Sequence, residues 1–192
     1  MIIVARHGRT QWNAEHRLQG SQDSPLTVGG QDQATRLGNF IKRNDLTHVA
    51  IYSSPLGRCV HTLELAGFDT DKAVFIPGLQ ECSFGLLEGM IESEAKDLFP
   101  DYYEARAKCV ETKWLLAPPG GESYSDVSLR VRQALAQIDL NQDVLIMTHG
   151  FTSRIVRGLL VGATYQEILG LPKQANNEIY CIENQVEEVI KL

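Results

Sequence analysis

An α/β domain is what the sequence predicts, and three observations predict it. Short apolar, β-branched runs of strand length alternate with stretches of helical spacing. Two of the runs, Ile2-Ile3-Val4-Ala5 and Val144-Leu145-Ile146-Met147, end on the same His-Gly pair, at His7-Gly8 and His149-Gly150. A chain of 192 residues is also long enough to bury one core without disulfide or metal staples.

Each element has a local reason. Ile2 to Arg6 reads as a strand buried on both faces, because its apolar residues are continuous rather than alternating. Thr27 offers an N-cap, and Ala34, Leu37 and Ile41 then fall at i, i+3 and i+7, the stripe of an amphipathic helix. His48 to Tyr52 supplies a second strand. Ser53-Ser54-Pro55 follows as a helix start with proline at the first helical position, which puts Arg58 in or near the first turn and directs it toward the strand's carboxyl end. Val74 to Ile76 reads as a third strand, ended by Pro77-Gly78. Helical stretches run from Ser93 to Phe99 and from Tyr102 to Leu115, before the turn Pro118-Pro119-Gly120-Gly121. Ser123 or Ser125 caps a helix with Val127, Val131, Ala134, Leu135 and Ile138 inward. A strand from Asp143 to Thr148 leads into a helix over Thr152 to Leu160, and Tyr165 to Leu169 stops at Gly170 with Pro172 beyond. Glu178 to Glu183 and Val186 to Ile190 resemble a terminal hairpin covering one sheet edge.

Composition narrows the function classes. A formal charge of -6 argues against a general nucleic-acid binder, which would show a basic face. Cys59, Cys82, Cys109 and Cys181 form no Cys-x-x-Cys, so neither a zinc knuckle nor a redox motif is indicated. No leader-like segment precedes the first strand, no apolar run reaches the length of a membrane span, and a cytoplasmic setting is expected.

In an open α/β sheet, residues that follow parallel strands converge in the crevice at the strands' carboxyl ends, so His7 and His149 are expected to meet there. Arg6, Arg58 and Asn13 bring donors without acceptors, and guanidinium forks match the oxygens of a phosphoryl group. An imidazole beside such a group attacks phosphorus only through an unprotonated nitrogen, so its other nitrogen should donate to an acceptor such as a backbone carbonyl. The residues leave open which nitrogen attacks. Two arginines and His149 can neutralise the equatorial oxygens without a metal, and no metal cluster or cofactor motif is visible. Glu81, expected just after a strand among apolar neighbours, is the candidate general acid, since burial and an approaching phosphate favour a neutral carboxyl.

These residues carry a resemblance. Arg6-His7-Gly8-Arg9-Thr10-Gln11-Trp12-Asn13, Gln19-Gly20, Pro25-Leu26-Thr27 with Gly30, Ser53-Ser54-Pro55-Leu56 with Arg58 and Thr62, Leu79 with Glu81, Phe84-Gly85 with Glu88-Gly89, Gly120-Gly121-Glu122-Ser123 and Thr148-His149-Gly150 together resemble the histidine phosphatase superfamily, in its phosphoglycerate-mutase-like branch. The resemblance implies a single-domain three-layer sandwich, residues 1–192, with a mixed, mostly parallel sheet flanked by helices and residues 91–118 as a short helical lid. It further implies that His7 becomes a phosphohistidine, that Arg6, Arg58 and His149 form the phosphate pocket, and that Glu81 donates the proton. Asn13 would join that pocket, with Gln19, Gly20 and Gly150 bordering the substrate.

Departures from the family pattern are informative. Arg9 stands where glutamate is usual, adding positive charge near His7 or pointing to solvent. Cys59 replaces a usual alanine and is expected to be packed rather than reactive. His16 and His61 are expected at the surface or behind the site. The stretch from Ile91 to Pro118 carries Arg106, Lys108 and Lys113 without an Arg-Arg pair, and is shorter than the lid of the family's mutases. Hydrolysis of a small phosphorylated metabolite without metal or cofactor is therefore the expected reaction. A phosphoglycerate mutase with a reduced lid and a non-catalytic phospho-ligand or protein-binding module are the other readings. No nucleic-acid or membrane partner is expected, and an uncovered sheet edge would make a homodimer reasonable.

Overall fold

Strands that are apolar on every residue need partners on both faces, and the two that end in His-Gly lie together at the centre of the sheet. The computed structural model describes residues Met1 to Leu192. Its strands are β1 (Ile2–Arg6), β2 (Ala50–Ser53), β3 (Val74–Phe75), β4 (Val144–Thr148), β5 (Glu178–Glu183) and β6 (Val186–Lys191), in the order β3-β2-β4-β1-β5-β6. β1, β2, β3 and β4 are mutually parallel, while β5 and β6 run antiparallel. The terminal hairpin thus covers β1 through β5 and leaves β6 and the two-residue β3 as edges.

The pleat sorts the central side chains into two cores. Val4 and Ile146 face Val127 and Val131 of α7 (Tyr124–Leu135) and Ile155 and Val156 of α8 (Gly150–Leu160). Ile3, Ala5, Leu145 and Met147 face the opposite side, against Leu37 and Ile41 of α2 (Val28–Arg43) and Cys59 and Leu63 of α3 (Gly57–Leu65). The result is a three-layer α/β sandwich. Leu145 is fully buried, so Leu145→Ala would cost about 2–5 kcal/mol. The remaining helices are α1 (Gln11–Ala14), α4 (Glu92–Leu98), α5 (Pro100–Ala107), α6 (Val110–Leu115) and α9 (Tyr165–Gly170). None is long and apolar enough to cross a membrane.

The chain leaves β1 for α2 on one face and leaves β4 for α8 on the other, so a crevice opens where the two strands end side by side. Arg6 pairs with Thr148 in the register, which places His7 and His149 next to each other.

Several expectations are corrected. Pro55 does not begin a helix: α3 starts at Gly57, and its first N–H groups are taken by Asp23, whose Oδ2 accepts from Gly57 at 2.7 Å and Oδ1 from Arg58 at 3.3 Å. A remote carboxylate has replaced the local serine cap. The single helix expected over Tyr102 to Leu115 is two, broken where Cys109 accepts from Thr112 N and caps α6. Of the two serines, Ser123 caps α7, in a reciprocal box with Asp126. Leu135 is only half-buried.

Candidate active site

The ends of β1 and β4 set the frame. The rings of His7 and His149 lie 5.2 Å apart between centroids, and both are buried. His7 Nδ1 is 2.8 Å from the Gly8 carbonyl, an acceptor only, so the proton sits on Nδ1 and Nε2 keeps its lone pair. The nitrogen that the sequence leaves open is thereby chosen. Burial, then the charges of Arg58 and Arg6, hold His7 well below the ordinary histidine value, which keeps the ring neutral. Asn176 donates to the His7 carbonyl at 2.7 Å and Thr62 accepts from Gly8 N at 3.0 Å, fixing the loop from both sides.

Arg58 is a buried guanidinium with nearly every donor assigned. Its Nε donates to His149 Nδ1 at 3.0 Å, Nη1 to Gln22 O and Asp23 Oδ1 at 2.7 Å each, and Nη2 to Gly20 O at 2.8 Å. A guanidinium has five N–H groups, so one remains for the cleft, which Arg58 lines. Arg6 gives Nη1 to the Gln174 carbonyl at 2.7 Å, while its buried Nε has no partner. Gln19 accepts from Thr10 Oγ1 through Oε1 at 2.9 Å and leaves its buried Nε2 unpaired. Asn13 uses Oδ1 for the Thr10 N–H, and its amide also borders the cleft. Unsatisfied buried donors are uncommon in folded proteins, and several lining one cleft with an unprotonated imidazole nitrogen can hold an anion.

His149 takes a different place from the one expected. Because Arg58 donates to Nδ1, Nε2 carries the proton and donates to Ser54 Oγ at 2.7 Å. Both nitrogens are spent inside the protein and the ring does not line the cleft, so His149 positions Arg58 and packs on His7 rather than presenting a donor to phosphate. Cys59 lies behind it, its sulfur 3.5 Å from Nε2. Burial pushes this thiol up to about 12, in keeping with a packed, unreactive residue.

Glu81 does not stand directly after a strand: it follows a tight turn at Pro77–Leu79, and its carboxyl meets N–H donors at the N-terminus of α8. Oε1 accepts from Cys82 N, Thr152 N and Thr152 Oγ1 at 3.0, 3.0 and 3.1 Å, whereas Oε2 accepts only from Phe151 N at 3.1 Å. Oε2 is therefore the oxygen with capacity left for a proton, and Glu81 opens on the same cleft as His7.

Two glycines leave room at the site. A Cβ on Gly150 would crowd the Arg6 guanidinium carbon at 3.0 Å. Gly20 has φ +57, a left-handed backbone that suits glycine, and a Cβ there would run into the Glu88 carboxylate. Arg9 is exposed at the rim, both near the cleft and in solvent; His16 shares that rim, while His61 is exposed away from it. Asp23, Gln174 and Asn176 carry no sequence signal for the site, and Ser54 stands out only as a helix-start serine and motif member, since each acts through contacts 35 to 169 residues distant in the chain, or as a backbone carbonyl. The cleft of about 870 Å³ extends beyond the histidines to Tyr103, Arg106 and Lys113 of α5 and α6.

The family model of the histidine phosphatase superfamily (branch 1) matches residues 2–189. The probable phosphoglycerate mutase GpmB of Salmonella choleraesuis is 35% identical over 185 residues, covering 93% of this chain and 79% of that protein. Among solved structures, YhfR of Bacillus stearothermophilus superimposes with a TM-score of 0.81 at 29% identity, over 99% of this chain and 95% of the other. The alpha-ribazole phosphatase of Shigella flexneri has a TM-score of 0.82 at 24% identity, over 100% and 95%, a likeness of fold.

Proposed function

The chain belongs to the histidine phosphatase superfamily, and from that premise we propose that it is a metal-independent phosphomonoesterase acting on a small phosphorylated metabolite through a phosphohistidine on His7. One observation carries the reading: the His7 Nδ1–Gly8 contact at 2.8 Å leaves Nε2 unprotonated, in a cleft that Arg6 with its partnerless Nε also lines.

In the first step the Nε2 lone pair forms a bond to phosphorus, and the ester P–O bond breaks. The leaving oxygen takes the proton from Glu81 Oε2, while Arg6, the free Nη2 hydrogen of Arg58 and the Gln19 amide bear the charge on the equatorial oxygens. In the second step a water oxygen attacks phosphorus, the P–N bond breaks, and Glu81 takes the water's proton. The cycle returns both groups to their starting states.

Residues 91–118 act as the lid, and their shortness favours water over a second hydroxyl as the acceptor. The four cysteines are unpaired, which supports a reducing cytoplasm. A mutase is the second reading, favoured by the 35% identity to the probable phosphoglycerate mutase. Phosphate release from a panel of phosphomonoesters in chelator, with His7→Ala as blank, tests the proposal. Release by the intact protein and acid-labile label on His7 are expected. Transfer between the hydroxyls of phosphoglycerate with negligible phosphate release would replace the phosphatase by the mutase, and binding without turnover would leave a phospho-ligand module.

A further inference from the structure

Helix α8 carries two buried arginines one turn apart, and only one of them is satisfied. Arg157 donates to Glu187 from Nε and Nη2 at 2.9 and 2.6 Å and to the Pro172 carbonyl from Nη1 at 3.1 Å, and lies 3.3 Å over the Tyr180 ring. Arg154 is buried to 8% exposure, yet its Nε has no partner and no carboxylate pairs with it. A buried N–H without an acceptor costs free energy, and a cleft ligand that engages the guanidinium offsets that cost.

The surroundings indicate what enters. Arg154 lines the same cleft as His7, together with Arg106, Lys113 and Lys173. Arg106 donates to the Tyr124 hydroxyl but also keeps a buried, partnerless Nε. Burial, then the charges of Arg106, Arg154 and Lys173, lower Lys113, so these cations crowd one another. The carboxylates nearby are committed elsewhere: Glu92 to Lys96 at 2.9 Å, and Glu81 to the start of α8. Arg154 stands four residues beyond Gly150, against which Arg6 packs, so about 6 Å of helix rise separates it from the phosphate pocket. Phe151, stacked on Tyr124 at 3.8 Å, supplies an apolar wall alongside.

We infer that the cleft holds a second anion site centred on Arg154 and completed by Arg106, Lys113 and Lys173. The substrates of the phosphatase proposed above are then phosphomonoesters bearing a further anionic group, carboxylate or phosphate, a few bonds from the ester. Arg154 is a specificity-determining residue, since forked donors bind either group and a neutral hydroxyl would leave them unpaired.

The test separates this inference from the catalytic reading by measuring binding as well as turnover. Calorimetric titration of the His7→Ala protein with glycerol 3-phosphate, 3-phosphoglycerate and 2,3-bisphosphoglycerate compares a neutral, a carboxylate and a phosphate terminus on one three-carbon frame. At least one acidic ester should bind about tenfold or more tightly than glycerol 3-phosphate, and the tighter of the two identifies the group. Adding Arg154→Met to this protein should abolish the preference, Arg154→Lys should keep part of it, and Lys113→Gln should reduce it. Equal binding of all three esters, or a preference that survives Arg154→Met, overturns the second site. If the preference holds and the intact protein turns over none of them, the phosphatase reading fails while the second anion site stands.

Discussion

The two halves of the cleft are both cationic and are built in opposite ways. Around His7, donors are wired into the frame: Arg58 has one N–H left after four hydrogen bonds, and His7 and His149 each have a ring proton committed to a neighbour. Around Arg154 the cations come from α5, α6, α8 and the loop at Lys173, and have few partners in the protein. Chemistry needs the first kind of arrangement, because a transition state is stabilised by groups already in place. Selection among substrates can use the second, because donors left unpaired in the protein reward only the ligand that pairs them.

This contrast predicts that changes near His7 lower turnover of every ester, in graded steps. His7→Ala should reduce kcat by at least about 10⁴-fold on all substrates and abolish acid-labile labelling; residual turnover within about tenfold of the intact protein would place the nucleophile elsewhere. Glu81→Gln should cost about 10²- to 10³-fold on alkyl esters and much less on p-nitrophenyl phosphate, whose leaving group needs no proton. An equal loss on both would make Glu81 a positioning residue for α8 instead of an acid.

The buried rings add a dependence on pH. His7 and His149 are both held well below 6.5, burial being the largest cause and Arg58 the next, so each binds its proton more readily in the unfolded chain. The stability this confers is complete above the unfolded value and is lost as pH falls below it. Each ring contributes a slope of up to about 1.4 kcal/mol per pH unit. Denaturant titrations between pH 7.5 and 5 (about the range that matters) should show this loss, and His7→Gln should flatten the slope while leaving a remainder due to His149. A slope unchanged by His7→Gln would mean that the ring is charged in the folded protein. Because His7 stays neutral, kcat/KM should not decline with protonation of a nucleophile near 6.5.

Asp23→Ala is the mildest of these changes. It removes the acceptor for the first N–H groups of α3 and one partner of Arg58, with an expected loss of about 1 kcal/mol and a Tm lower by about 2–4 °C. KM should rise more than kcat falls, since Arg58 is loosened and not lost. A larger effect on kcat than on KM would show that Asp23 aligns the reacting groups more directly.

Much of the site could be read along the chain, and what was missed shares a physical cause. The alternation of apolar runs and helical stripes placed β1, β4 and the start of α2 within a residue or two, and the repeated His-Gly lies at the ends of two neighbouring strands. Pro55 misled because its cap signal is local, whereas the cap that forms comes from Asp23, 34 residues earlier. The donors around Glu81 carry no local signal, since they come from the start of α8, about 70 residues later. The cations of the distal half carry no contiguous signal: Arg106 and Arg154 are 48 positions apart in the numbering.

Periodicity and residue type by themselves determined the layers and the two histidines at neighbouring strand ends, because each follows from solvation and pleat within a few residues. Only the tertiary structure decided which nitrogen of His7 is free, that His149 serves Arg58, and that Arg154 lacks a partner. Those are questions of proton placement and hydrogen-bond satisfaction, and their answers depend on atoms that come together only when β1, β4 and α8 pack.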